Sequence, residues 1–176
     1  MTDVRKPTLA ELNACEEGEF VAVLGPLFEH SPWVAGETFG SRPFATPQAL
    51  HAALCDTMRR APASRQLGLV RAHPDLAGRM AGAGEVTASS AREQRAAGLD
   101  RLGEAEAAEI GSLNARYRAR FGFPFVICAR LSDKDRILSA MRERVSSDPA
   151  AELSTALSEI AKIAMLRLDD AISHDR

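Results

Sequence analysis

An all-α fold with one short extended segment is what this sequence predicts, and three observations carry the prediction. Apolar positions recur at three- and four-residue intervals along most of the chain, which is the spacing of a buried helical face. Helix-start signals recur as well, with Ser, Thr or Asp placed ahead of proline or three residues before glutamate, while alternating strand patterns are nearly absent. The run Phe121-Gly-Phe-Pro-Phe-Val-Ile-Cys-Ala129 alone departs from this. It is almost continuously apolar, holds a proline and is too short for a helix, so residues 123–129 are expected as extended chain.

The elements follow in order. Thr8 and Glu11 have capping-box spacing ahead of Leu9 and Leu12. The apolar stretch from Phe20 to Phe28 is interrupted at Gly25-Pro26, where a helix should end. Thr46-Pro47 reads as a cap followed by proline at the first helical position, and Leu50, Leu54 and Met58 then repeat every four residues. Ser64 can start a helix carrying Leu67 and Val70, and Ser89 or Ser90 one that runs to Gly98. Between Glu104 and Arg120, Ile110, Leu113, Tyr117 and the following Phe121 line one helical face, and Gly122 offers a stop. Ser132 restarts a helix with Ile137, Leu138, Met141 and Val145 inward, and Asp148-Pro149 opens the longest, to about Ser173. No repeat, low-complexity stretch or long linker divides residues 1–176, which are expected to form a single domain.

Composition narrows the function classes. Hydrophobic residues at 45% and charged residues at 26% are too apolar and too balanced for a disordered chain. The net charge of −2, from 22 basic and 24 acidic residues, supplies no field to gather nucleic acid or an anionic membrane. No apolar run reaches membrane-spanning length, and the charged N-terminus has no apolar region behind it, so a cytoplasmic location is expected. Cys15, Cys55 and Cys128 are odd in number and widely spaced, which points to reduced thiols and to neither a disulfide framework nor a zinc site. Phosphate-loop, metal-helix and nucleophile-elbow signatures are absent, which leaves acid and base chemistry by single residues.

Four places can carry such chemistry. His73 precedes Pro74, which disfavours helical torsions at the histidine and sets its imidazole at an element boundary, either as a proton donor to a bound molecule or as a capping residue. Ser90, Glu93 and Gln94 form either a capping box or a helix terminus offering hydroxyl, carboxylate and carboxamide to a small polar ring. Phe125, Val126, Ile127, Cys128 and Ala129 are core, or extended backbone whose amides and carbonyls meet a heterocycle. Arg167 continues the stripe of Leu153, Leu157, Ile160 and Ala164. It should therefore meet a protein carboxylate or a ligand anion, or else snorkel while Leu168 completes the stripe.

Taken together, Ser31-Pro32-Trp33, Ala72-His73-Pro74-Asp75-Leu76-Ala77, Ser90-x-x-Glu93-Gln94, Asn114-x-x-Tyr117 leading into Phe121-Gly-Phe-Pro-Phe-Val126, and Arg167 resemble the 2-oxo-4-hydroxy-4-carboxy-5-ureidoimidazoline (OHCU) decarboxylase family across nearly the whole chain. The resemblance implies an all-α homodimer without metal or organic cofactor, acting on a small-molecule ureidoimidazoline in the third step of urate degradation and giving (S)-allantoin. It implies His73 as catalytic acid/base with Glu93 assisting. Pro74, Ser90, Glu93, Gln94 and the backbone of Phe125, Val126, Ile127, Cys128 and Ala129 would surround the substrate, with Arg167 as an anion or carbonyl partner. The chemistry is consistent with that list, because loss of carbon dioxide leaves a carbanion beside a carbonyl, which delocalises as an enolate and needs no external electron sink. Three rivals stand beside it: a related lyase or hydrolase for another ureido or imidazole compound, a non-catalytic helical module binding a purine-breakdown product or a partner protein, and a helical DNA-binding module, which the near-neutral charge disfavours.

Overall fold

The computed structural model describes residues 5–77 and 86–173. In chain order its α-helices are α1 (Leu9–Ala14), α2 (Glu17–Leu24), α3 (Trp33–Thr38), α4 (Pro47–Arg60), α5 (Ala63–Arg71), α6 (Ala88–Ala96), α7 (Glu104–Phe121), α8 (Lys134–Arg144) and α9 (Pro149–Ala171). Short 3-10 turns lie at Gly25–Leu27, Phe39–Ser41 and Ala129–Leu131, and no strand occurs among the described residues. The all-α class is as the periodicity implies. The chain divides into two units, one of residues 1–69 and 161–176, the other of residues 70–160.

In the first unit, local chemistry sets the helix ends. The Thr8 hydroxyl accepts from the Glu11 N–H while the Glu11 carboxylate accepts from the Thr8 N–H, completing the expected capping box. Helix α2 stops at Gly25-Pro26, as the missing proline N–H requires. Thr46 caps α4 through its hydroxyl, and Leu50, Leu54 and Met58 are fully buried with Phe20, Leu24 and Val34. Helix α5 begins at Ala63, one residue before the expected Ser64.

The second unit is organised on α7. Its buried face is Ile110, Leu113, Asn114 and Tyr117, and it ends where Gly122 enters the left-handed region at φ 71°, its N–H donating to the Arg118 carbonyl at 2.9 Å. A Cβ on Gly122 would also stand 3.6 Å from Arg71 Nη2. Gly122→Ala is therefore expected to destabilise the protein by about 1–2 kcal/mol, the steric cost of left-handed backbone for an L-residue. An unchanged denaturant midpoint would contradict this account of the helix stop.

Two further starts differ from expectation. Helix α6 is capped by Thr87, not Ser89 or Ser90, and α8 by Asp133, not Ser132, because Ser132 closes the preceding 3-10 turn by donating its N–H to Ala129. The extended segment also stops one residue early. Cys128 is extended at φ −71° and ψ 92°, and Ala129 already begins the 3-10 turn.

Helix α8 is tied to α7 by Lys134–Glu106 at 2.5 Å and Arg142–Glu109 at 2.7 Å. The Lys134 hydrogen bond, then the Gly103 N–H, hold the Glu106 carboxyl below its ordinary 4.5, and Glu106 holds the Lys134 ammonium above its ordinary 10.5. A lowered carboxyl stabilises the fold above its unfolded value and loses that contribution as pH falls. A raised ammonium stabilises below its unfolded value and loses that contribution as pH rises. The difference in denaturation midpoint between the parent and Lys134→Met should thus be small, flat between those two values, and shrink at both ends. A difference independent of pH would remove the pair as its cause.

Candidate active site

His73 lies just past the end of α5. Its N–H donates to the Val70 carbonyl at 3.2 Å, and Pro74 prevents a further helical turn. The residue is only 6% exposed, so the imidazole is enclosed by protein. The three residues after Pro74 are each held by a side chain. The Arg118 Nε–H is shared between the two Asp75 carboxylate oxygens at 2.9 and 3.0 Å, Asn114 Nδ2 donates to the Leu76 carbonyl at 2.9 Å, and the Ala77 N–H donates to Gln94 Oε1 at 2.9 Å. Ala77 has φ 55°, which is left-handed backbone in a residue with a Cβ.

Thr87, as the cap of α6, accepts from the Ser90 N–H at 3.3 Å, which places Ser90 in the first turn and removes it from a capping role. Ser90 is buried at 6% exposure, and Glu93 and Gln94 are half-buried. Ser90 and Glu93 are three residues apart and share a helical face, while Gln94 reaches the His73 segment through Ala77. A cleft of about 220 Å³ beside Gln94 is lined by Ala77, Val86, Ala91, Gln94, Arg95, Leu99 and Asp100, and of the predicted site residues among the described ones Gln94 alone lines it. Helix α6 packs against the 3-10 turn Ala129–Leu131, so the fold gathers the His73 segment, the Ser90 helix and the end of the extended run in one unit.

In that run Phe125, Val126, Cys128 and Ala129 are buried and Ile127 is half-buried. Part of its backbone is engaged by protein side chains: the Val126 carbonyl accepts from Arg144 Nη1 at 3.0 Å, and the Cys128 N–H donates to Glu159 Oε2 at 2.8 Å. Arg144 also stacks over the Phe125 ring at 4.3 Å and forks onto Glu152 at 2.5 and 2.8 Å, and Tyr117 donates its hydroxyl to the same carboxylate. Glu152 is 1% exposed. Burial first, and then the adjoining Glu152 carboxylate, push the Tyr117 phenol far above its ordinary value, so it remains a donor. Glu152 was not legible in the sequence as a buried carboxylate. Its only trace is that it stands four and eight positions before the buried Ala156 and Ile160.

Arg167 belongs to the first unit and the other candidate residues to the second. Its guanidinium is buried at 7% exposure and donates from Nη2 to Glu29 Oε1 at 2.9 Å, with Glu29 itself 2% exposed. Arg167 thus meets a protein carboxylate, and Leu168 is fully buried beside it. His51 is a poor proton donor to a ligand. It lies within α4, its Nε2 is 2.8 Å from the Ala161 carbonyl and 3.3 Å from Cys55 Sγ, and burial pushes the Cys55 thiol up. Among the described residues no group of three His, Cys, Asp or Glu side chains is placed to hold a metal ion, and no helix is long and apolar enough to cross a membrane.

Residues 13–169 match the family model described as OHCU decarboxylase. The 2-oxo-4-hydroxy-4-carboxy-5-ureidoimidazoline decarboxylase of Amia calva is 43% identical over 164 residues, covering 93% of this chain and 94% of the relative. That of Haloferax volcanii is 40% identical, covering 96% and 98%. A crystal structure of (S)-allantoin synthase aligns with a TM-score of 0.75 at 30% identity over 95% of this chain, which spans 54% of that longer one. A crystal structure of OHCU decarboxylase in the presence of (S)-allantoin aligns with a TM-score of 0.69 at 25% identity, covering 91% of this chain and 100% of the other. With a family model spanning most of its length and relatives at 40% identity or more over at least 93% of the chain, this chain belongs to the OHCU decarboxylase family.

Proposed function

We propose that the protein decarboxylates OHCU to (S)-allantoin and carbon dioxide, with His73 delivering the proton that fixes the configuration of the product. The bond between the hydroxyl-bearing ring carbon C4 and its carboxylate breaks, carbon dioxide leaves, and the electron pair forms a double bond to C5 while the ring C=N takes the charge onto nitrogen, leaving an enol at C4. An imidazolium at His73 then protonates C5, the ureido-bearing carbon, from one side; the enol proton passes to the ring nitrogen as C4 becomes the carbonyl of allantoin, and the imidazole is left neutral, ready to be recharged from solvent. One observation carries the reading: His73, at the end of α5, is enclosed at 6% exposure ahead of a segment fastened at three consecutive residues. Positioned acid catalysis of this kind contributes about 10²–10⁴-fold.

In this reading Glu93 orients His73 or holds the ureido nitrogens, while Pro74, Ser90, Gln94 and the backbone of residues 125–129 surround the ring. Arg167, oriented by Glu29, is the partner of an anion or carbonyl oxygen. The family resemblance further supports a cofactor-independent homodimer acting in the cytoplasm, and light scattering at twice the chain mass would test the assembly.

Spontaneous decay of OHCU gives racemic allantoin, so circular dichroism of freshly generated urate-oxidation intermediates reports enzymatic protonation directly. Addition of the protein should produce the signal of the (S) product. A flat trace from folded protein would instead support a non-catalytic module.

A further inference from the structure

The asparagine of the Asn114-x-x-Tyr117 motif and the arginine one turn further on have no part in the chemistry above, yet both reach the segment that follows His73. They stand four residues apart on one face of α7 and hold neighbouring residues, Asn114 the Leu76 carbonyl and Arg118 the Asp75 carboxylate. Gln94 fastens the third residue from the opposite element, and Ala77 persists there at φ 55°. Left-handed backbone in a non-glycine residue endures where its surroundings over-determine it. Asn114 is 6% exposed and uses only its donor here, because its Oδ1 is buried without a partner among the described residues. Space-filling alone would be served without that orphan acceptor.

We propose that Asn114 and Arg118 are positioning residues for the His73 imidazole: by pinning residues 75 and 76 to α7 they fix the backbone from which the proton donor projects. The proposal rests on the reading of His73 as that donor. A displacement of the order of 1 Å at a reacting group can cost about 10²-fold in rate.

The test is steady-state kinetics by circular dichroism on the full chain carrying Asn114→Ala, Arg118→Ala, Arg118→Lys or both alanines, with Arg116→Ala on the same helix as a control. Each alanine variant should lose kcat, up to about 10²-fold, with KM unchanged. Arg118→Lys should fall between Arg118→Ala and the parent, since it keeps the charge and loses the fixed planar Nε–H shared by both carboxylate oxygens. The double variant should lose less than the product of the two single losses, because both act through one segment. Arg116→Ala should match the parent. Parent kcat in both single variants, a change confined to KM, or strictly multiplicative losses would overturn the proposal. Arg118 is nearly half exposed, so Arg118→Ala keeps the test decisive if Asn114→Ala fails to fold.

A second measurement separates this proposal from the assigned reaction. The ring resonances of His73, followed by NMR without substrate, should shift in Asn114→Ala and Arg118→Ala and stay in place in Arg116→Ala. Unmoved resonances would overturn the positioning role whatever the parent catalyses. A parent that makes no (S)-allantoin would overturn the reaction while leaving the ring measurement interpretable.

Discussion

His73→Asn is expected to lower stereoselective allantoin formation by about 10²–10⁴-fold while leaving helix content unchanged. Asparagine fills much of the same space and can hydrogen-bond, but its amide does not deliver a proton near neutral pH. The residue sits beyond the last turn of α5, so the substitution interrupts no helix. The measurement is circular dichroism of the product at matched protein concentration, with far-ultraviolet spectra confirming the fold. Turnover at the parent rate would remove His73 from the mechanism. Glu93→Gln, run alongside, separates two roles: a loss in kcat alone fits a carboxylate that orients the imidazole, whereas a rise in KM fits one that holds the ureido group.

The second large effect concerns stability. Glu152→Ala removes the acceptor shared by Arg144 and Tyr117, leaving a guanidinium with its side chain 14% exposed and a buried phenol without that carboxylate. Breaking a buried ion pair by deleting one partner costs about 3–5 kcal/mol, far above the 0–1 kcal/mol or so of a surface pair. Equilibrium denaturation should show a loss of that size. A loss below about 1 kcal/mol would mean that the pair behaves as a surface one. Because Arg144 also donates to the Val126 carbonyl and stacks on Phe125, a folded Glu152→Gln variant should loosen residues 125–128, seen as faster amide exchange there than in the parent.

The two predictions draw on parts of the protein that were unequally legible. His73 stood out because proline at the next position is a local signal, acting through the torsions of one residue. The caps at Thr8 and Thr46 and the stop at Gly122 were readable for the same reason, since each satisfies backbone groups within four residues of itself. Where two candidate caps stood close together, that local logic failed: Thr87 displaced the serines of α6 and Asp133 displaced Ser132. Each choice depended on what the preceding chain was already doing.

By itself the sequence determined the helical class, the caps at Thr8 and Thr46, the stop at Gly122, the apolar faces and, through its motifs, the family. These rest on backbone geometry and spacing within a few residues, which no distant contact needs to supply. Only the tertiary structure decided which polar groups the interior keeps and whom they meet. Arg167 answers to Glu29 across 138 residues, Tyr117 to Glu152 across 35, and Asn114 to Leu76 across 38. A buried charge or amide is tolerable only beside its complement, and periodicity reports that a position faces inward without reporting what awaits it there.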